Sequence, residues 1–580
     1  MAHKLYSAEQ QIQIVVALLK EYGISRVIAS PGTTNLTFVA SLQHDSFFKV
    51  YSAPEERSAA YMAVGMAEES GEPVVITCTG ATASRNYYPA MTEAFYRKIP
   101  ILAITATQPK GIVGQYVPQV IDRSSIPNDT ANYSVHIPII KDRADYDFAV
   151  LKTNEALHYL KKNGGGPVHI NLETSYNKDF SVKCLPEIKK IAYYRPFDQL
   201  PSLPEGKVGI FIGSHPSMTK ELTLAIDQFC DKTGAVVFCD HTSNYKGKYR
   251  FLYPLVMSQD NWSSGLGNLD LMIHIGGISG AYTQPNSNRK WRVNEDGTIR
   301  SVYGLPSAVF EMREIDFFNR YAQSLDKKKE SYIGKCIETY DSIYNSIPES
   351  LPFSNIWVAM NLSKMIPANS VMHYGILNSL RSWNFFEIPI SVNSYCNVGG
   401  FGIDGPISTV IGGALAQPEK IHFIIVGDLA FFYDLNSLGN RHLPNNLRII
   451  LVNNGRGTEF TNYNHPAYAF GEDADKYMAA AGHYGNKSTE LVKHYVQDLG
   501  FKYMSASSKT EVMALAKEFT TSDKIDYPIL MEIFTDSKLE TEALHIIRNL
   551  RVDGKNMLEN KVRNIIGKSG VETVKKILKK

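Results

Sequence analysis

The sequence predicts an α/β protein built from three doubly wound parallel-sheet domains, and three observations carry that expectation. Short apolar β-type runs alternate with helical segments along most of the chain, the pattern that makes a parallel sheet with helices on both faces. Two stretches interrupt it: 181 to 206, with Pro186, Pro196, Pro201 and Pro204, and the charged 326 to 356, ending at Pro348 and Pro352. At 580 residues the chain is long enough for several cores. The expected domains are 1–180, 207–325 and 355–536, followed by a basic helical tail, 537–580, in which ten Lys or Arg face three acids from Arg548 on.

Composition narrows the function. Hydrophobic residues at 44% and charged residues at 20% describe a soluble globular chain, and a net charge of +2 offers no footprint for nucleic acid or a membrane surface. The cysteines at 78, 184, 230, 239, 336 and 396 form no CxxC pair, which argues for reduced thiols and against structural zinc. MAHKLYSAEQQIQ has no apolar core of signal-peptide length, so a cytoplasmic location is expected.

In chain order, Ser7 caps an amphipathic helix that Gly23 ends, and strands follow at Arg26 to Ala29, Val74 to Cys78, Ile101 to Thr105 and Val168 to Leu172. The SPGTTN turn after the first strand, with Thr33 and Thr34, reads equally as an anion or substrate loop and as an ordinary strand-to-helix turn. Glu55 and Glu56 open a helix whose dipole they complement. Gly80, Thr82 and Asn86 follow the next strand, where small or polar residues let backbone and ligand approach. Strands at 208 to 212, 235 to 239 and 271 to 275 make the middle domain, and Gly276, Gly277 and Gly280 give it a nucleotide-fold look. In the third domain Gly400, Gly402 and Gly405 satisfy G-x-G-x-x-G, and Asp428 lies 23 residues on, so dinucleotide binding is a rival reading. The unit 421 to 456 is strand, helix, strand, with Gly427-Asp428 and Asn453-Asn454 at the two strand ends. Hard oxygens at one sheet edge suit Mg2+ and hence a magnesium-bound diphosphate, while the bland alternative is a capping Asp and an Asn-Asn-Gly turn.

G-D at 427 to 428 followed by N-N at 453 to 454 resembles the signature of thiamin-diphosphate (ThDP) enzymes, and EERSAAYMAVGMAEESGEPVVITC and GGFGIDGPIST resemble two further motifs of that family. The resemblance implies that Asp428, Asn454 and the main-chain carbonyl of Arg456 hold Mg2+, with Gly427 and Leu429 beside the diphosphate. It implies that Glu56, counted back from Gly65, is the catalytic acid bonded to ring N1' of the aminopyrimidine. Gly80, Thr82, Asn86, Gly402, Ile403 and Asp404 would complete the cofactor site, Ile403 being the apolar wedge between the two rings. In the family the two halves come from two chains, implying a homodimer or homotetramer with active sites between chains.

Within ThDP enzymes the chain most resembles the menaquinone-pathway 2-succinyl-5-enolpyruvyl-6-hydroxy-3-cyclohexene-1-carboxylate synthases, in NYYPAMTEA, GIDGPIST and VGDLAFFYDLNSL. Those enzymes decarboxylate 2-oxoglutarate and transfer the product to isochorismate. Three of their cationic positions are here Thr34, Val398 and Ala281-Tyr282. Each charge-assisted contact is worth roughly 1.5 to 3 kcal/mol, so the resemblance implies a 2-oxo acid decarboxylase or carboligase with an altered pocket and an unknown acceptor. Thr33, Thr34, Gln119, Ser379, Arg381, Asn397 and Phe401 are the expected lining, Arg381 being the expected anchor for a substrate carboxylate, while Trp383 reads at least as well as core packing as it does as lining. Alternatives are an acetolactate-synthase-like enzyme with FAD, a simple decarboxylase, an NAD-dependent dehydrogenase and a catalytically silent protein of this fold.

Overall fold

The structure is a computed structural model; it describes residues 5–281, 283–301, 303–325, 329–483, 488–523 and 525–553. The chain divides into two compact units, one of Met1–Tyr193 with Thr298–Val309, the other of Tyr194–Gly297 with Phe310–Lys580.

In the first unit six strands pair in parallel in the order Lys49–Ser52, Arg26–Ala29, Val74–Thr79, Ile101–Thr107, Val168–Glu173, Tyr133–Ile137. Ile101–Thr107 and Val168–Glu173 are buried along their whole length, as continuous apolar strands covered on both faces must be. The first helix spans Gln10–Glu21 and starts later than Ser7. Ser7 is fully buried and accepts from the Glu9 amide, while the Glu9 carboxylate accepts from Thr174, Ser175 and Asn177 instead of capping its own helix.

Among the described residues the second unit holds two large parallel sheets and the two-stranded sheet Asn268–Leu269 with Asn286–Ser287. In one, Arg250–Leu252, Val236–Cys239, Val208–Ile212, Leu271–Ile275 and Lys290–Val293 lie side by side. In the other the order is Asn393–Cys396, Val371–Tyr374, His422–Gly427, Leu447–Asn453, Ile529–Phe534, Lys502–Ala506. The α/β fold class read from apolar alternation is therefore borne out. The helix Ser537–Arg548 buries Glu540, Ala543, Leu544 and Ile547, so the start of the expected basic tail packs into the fold; 554–580 lie outside the described residues. Among the described residues no helix is long and apolar enough to cross a membrane.

Strand order positions the site. In the first sheet the chain reverses direction between Arg26–Ala29 and Val74–Thr79, and in the last between Val371–Tyr374 and His422–Gly427. Crevices at the carboxyl ends of such strand pairs are where open α/β sheets take ligands. The motif residues sit at these two places.

Candidate active site

At the first sheet's reversal, the helix Glu56–Ser70 opens on two acids with separate duties. Glu55 is the cap: its carboxylate accepts from the amides of Arg57 at 3.2 Å and Ser58 at 2.8 Å and from the Ser58 hydroxyl at 2.7 Å. These bonds, the Ser58 hydroxyl foremost, hold the Glu55 carboxyl below its ordinary range. Glu56 is thereby left out of the cap, half-buried, and accepts one long hydrogen bond from Asn86 Nδ2 at 3.3 Å. Asn86 ends the short helix Thr82–Asn86, which follows the Gly80 turn, and Thr82 is exposed.

Gly80 admits no side chain. A Cβ there would lie 2.6 Å from the Ala106 carbonyl and 2.7 Å from Arg123 Nη2. Arg123, 5% exposed, donates to the Gly80 carbonyl and to Asn171 Oδ1, and burial lowers its pKa to about 10. It is a buried cation bonded to neutral oxygens, and VPQVIDR reads locally as a solvated loop. The neighbouring Thr34 is buried, Thr33 exposed, and Gln119 exposed with a φ of 63°.

At the last sheet's reversal, Asp428 begins the helix Asp428–Tyr433 after Gly427. Its side chain is 5% exposed; Oδ1 accepts from the Leu429 amide at 2.8 Å and Oδ2 from the Gly455 amide at 2.5 Å. Burial nonetheless pushes its pKa up to about 6. Such a carboxylate is oriented by backbone donors, and among the described residues no cation pairs with it. The two asparagines divide their work. Asn453 is buried and donates to Glu532 Oε1 at 2.7 Å, whereas Asn454 is half-exposed and its Oδ1 accepts a 3.4 Å bond from the Arg456 amide. The Arg456 guanidinium pairs with Asp475 at 3.0 Å.

Ile403 packs on a buried cluster that includes Ile407, Val410 and Phe431, while Asp404 is exposed and Gly402 lies against its carboxylate. Phe401 is 41% exposed and holds a φ of 53°, a left-handed conformation that costs a bulky residue roughly 1 to 3 kcal/mol. Asn397 donates to Thr409 Oγ1 at 3.1 Å, and Ser379 is buried. Val398 is 5% exposed, Trp383 fully buried in the core, and Tyr282 lies outside the described residues. Arg381, the expected carboxylate anchor, is 8% exposed and bonds Glu459 through both terminal nitrogens, at 2.8 and 3.3 Å. Its charge is met inside the fold. Glu459 carried no motif, and the 78 residues between the partners hide the pair from a local reading.

Residues 11–126 match the family model of the thiamine pyrophosphate enzyme, N-terminal TPP binding domain. Relatives match over nearly the whole chain. The 2-succinyl-5-enolpyruvyl-6-hydroxy-3-cyclohexene-1-carboxylate synthase of Phocaeicola vulgatus is 29% identical, over 93% of this chain and 98% of its own. The synthase of the same name from Bacteroides thetaiotaomicron is 28% identical, over 93% and 98%. That of Desulfotalea psychrophila is 26% identical, over 91% and 99%. The resemblance to ThDP enzymes, and among them to these synthases, is borne out.

Proposed function

We propose that this chain, similar end to end to ThDP-dependent synthases, decarboxylates a 2-oxo acid with ThDP and Mg2+ and transfers the remaining acyl unit to an acceptor. The observation that carries the reading is the division of labour at residues 55 and 56: with Glu55 spent on the helix cap, the Glu56 carboxylate keeps, among the described residues, a single 3.3 Å partner. A carboxylate so placed can share a proton with a ring nitrogen, which general acid–base chemistry requires of it.

The residues at the other reversal fit a hard cation. One carboxylate held by two amides, one half-exposed amide oxygen and the Arg456 carbonyl are the oxygen donors Mg2+ takes, with phosphate and water filling the remaining positions. The raised pKa of Asp428 supports the same reading, since a dication would relieve the burial that raises it.

When bound, ThDP supplies the carbanion and the electron sink that loss of CO2 requires. The protein's part is to fix that group and manage protons. Asp428 and Asn454 would hold the metal, Glu56, which Asn86 orients, would hold a proton at the ring nitrogen, and Ile403 would brace the apolar middle of the cofactor. Gly80 keeps the backbone close, with Arg123 behind it. In this proposal the catalytic assembly is a homodimer or homotetramer in which Glu56 and Asp428 of different chains share one cofactor. The unbridged cysteines support a reducing, cytoplasmic setting.

Assay of CO2 release from a panel of 2-oxo acids tests the proposal. Turnover that needs both ThDP and Mg2+ and stops on chelation is expected. No release from any acid with both present would overturn it.

A further inference from the structure

The turn between the strand Val74–Thr79 and the helix Thr82–Asn86 sets where Asn86 stands, and Asn86 is the hydrogen-bond partner of Glu56. Within the turn the Ser84 hydroxyl bonds the Gly80 carbonyl at 2.9 Å and the Ala81 carbonyl at 2.8 Å, and Ala81 gives the helix no side-chain cap. A five-residue helix without a cap is marginal by itself, so its direction has to be fixed from outside. The pair Asp122-Arg123 does this at both ends. The Asp122 carbonyl accepts from Arg85 Nη2 at 3.3 Å, and the Arg123 guanidinium donates to the Gly80 carbonyl.

The far side of Arg123 is held by a row of polar side chains on the neighbouring strands Tyr133–Ile137 and Val168–Glu173. Arg123 Nη2 donates to Asn171 Oδ1, Asn171 Nδ2 lies 2.8 Å from His136 Nδ1, and His136 Nε2 lies 2.7 Å from Glu173 Oε1. With Oδ1 accepting from the guanidinium, the Asn171 amide nitrogen donates to His136, an assignment that leaves the histidine's Nε2 proton for Glu173. Glu173 is fixed in turn by the amides of Lys110 at 2.8 Å and Ile139 at 3.0 Å. The guanidinium is therefore set in one orientation. Among the described residues no carboxylate bonds it, and a buried cation that meets only neutral oxygens costs stability. Its two acceptors would keep partners without it: Gly80 has the Ser84 hydroxyl, and Asn171 Oδ1 has the Thr105 hydroxyl at 3.4 Å. Satisfying those oxygens does not require a charge, whereas holding one carbonyl in a fixed direction suits a rigid planar donor.

We propose that Arg123 is a positioning residue: by clamping the Gly80 carbonyl it fixes the turn that carries Asn86, and so the direction of the Glu56 carboxylate. The inference rests on the acid role proposed for Glu56 and adds the part of the chain that aims it.

Arg123→Met, which keeps much of the side chain's length and removes its charge, tests this in the full-length protein. In protein loaded with ThDP and Mg2+, exchange of the cofactor's C2 proton with D2O, quenched by acid and read by NMR, needs no 2-oxo acid. It is expected to slow roughly tenfold or more in Arg123→Met, with ThDP affinity by calorimetric titration within roughly threefold of wild type and the melting midpoint within about 3 °C. In the cofactor-free proteins, amide hydrogen exchange should quicken over residues 80–86 and stay unchanged in the strand Ile101–Thr107. Unchanged C2 exchange in a folded Arg123→Met overturns the proposal, as does amide exchange that quickens in both stretches alike. If Arg123→Met fails to fold, Asn171→Leu decides: it removes the far anchor, should slow C2 exchange in the same direction, and overturns the proposal if it does not. C2 exchange that Glu56→Gln leaves untouched brings down the acid role and this inference together. Slow exchange in Glu56→Gln beside wild-type exchange in Arg123→Met overturns this inference only.

Discussion

The two reversal points carry carboxylates of opposite character. Glu56 is half-buried and touched by one distant amide, whereas Asp428 is 5% exposed and clamped by two backbone N–H groups. A group that passes or shares a proton needs room and a weak partner. A group that anchors a cation needs a fixed direction, which backbone donors provide without side-chain entropy. In the proposed reading the same residue chemistry would serve two ends because the surrounding chain treats it differently.

The comparison breaks first at Glu56. Glu56→Gln keeps the shape and a hydrogen bond but cannot share a proton as an acid, so kcat should fall roughly 10²- to 10⁴-fold with ThDP affinity nearly unchanged. Steady-state kinetics beside a binding titration checks this, and a fully active Glu56→Gln removes the acid role.

Acid and base should find different weak points in the two units. Burial lowers the pKa of His169 in the first unit to about 3, so the stability it contributes is present above the ordinary histidine range and lost as pH falls. In the second unit burial raises the pKa of Glu540 from 4.5 to about 7, so its contribution is present below pH 4.5 and lost as pH rises through about 7. That loss is on the order of 3 kcal/mol, and Glu540→Gln should flatten it in denaturant melts recorded between pH 5 and about 8.

The two glycines sharpen the contrast at smaller cost. Gly80→Ala drives a methyl against a backbone carbonyl 2.6 Å away and should cost about 1 to 3 kcal/mol by thermal unfolding. Gly427 has an ordinary φ of −78° and nothing within 4 Å of a Cβ. Gly427→Ala should leave stability within about 0.5 kcal/mol and weaken only ThDP binding.

How much of this was legible in the sequence follows from distance along the chain. Apolar runs and the Gly-Asp, Asn-Asn and Glu-Glu pairs are local, so the sheets and the motif residues could be read directly. Counting back from Gly65 favours Glu56 over Glu55 for the proposed acid, and in the structure it is Glu55 that caps the helix. The Arg381–Glu459 pair was not legible: nothing beside Arg381 in GILNSLRSW announces its acid, and the residue reads as a free cation. Arg123 was missed for the same reason, because its partners, Gly80 and Asn171, lie 43 and 48 residues away. Ser7 reads as a helix cap in the sequence because the bond that Glu9 makes instead depends on Thr174, 165 residues on.

The central claim is that Asp428 anchors a magnesium-bound diphosphate, and calorimetric titration of ThDP with Mg2+ tests it most directly. Saturable binding to the wild-type protein is expected, weakened roughly 10- to 100-fold in Asp428→Asn, where the two amide clamps keep an oxygen partner but the metal loses a charge. Equal affinity in both proteins, or no heat in either, would contradict the account.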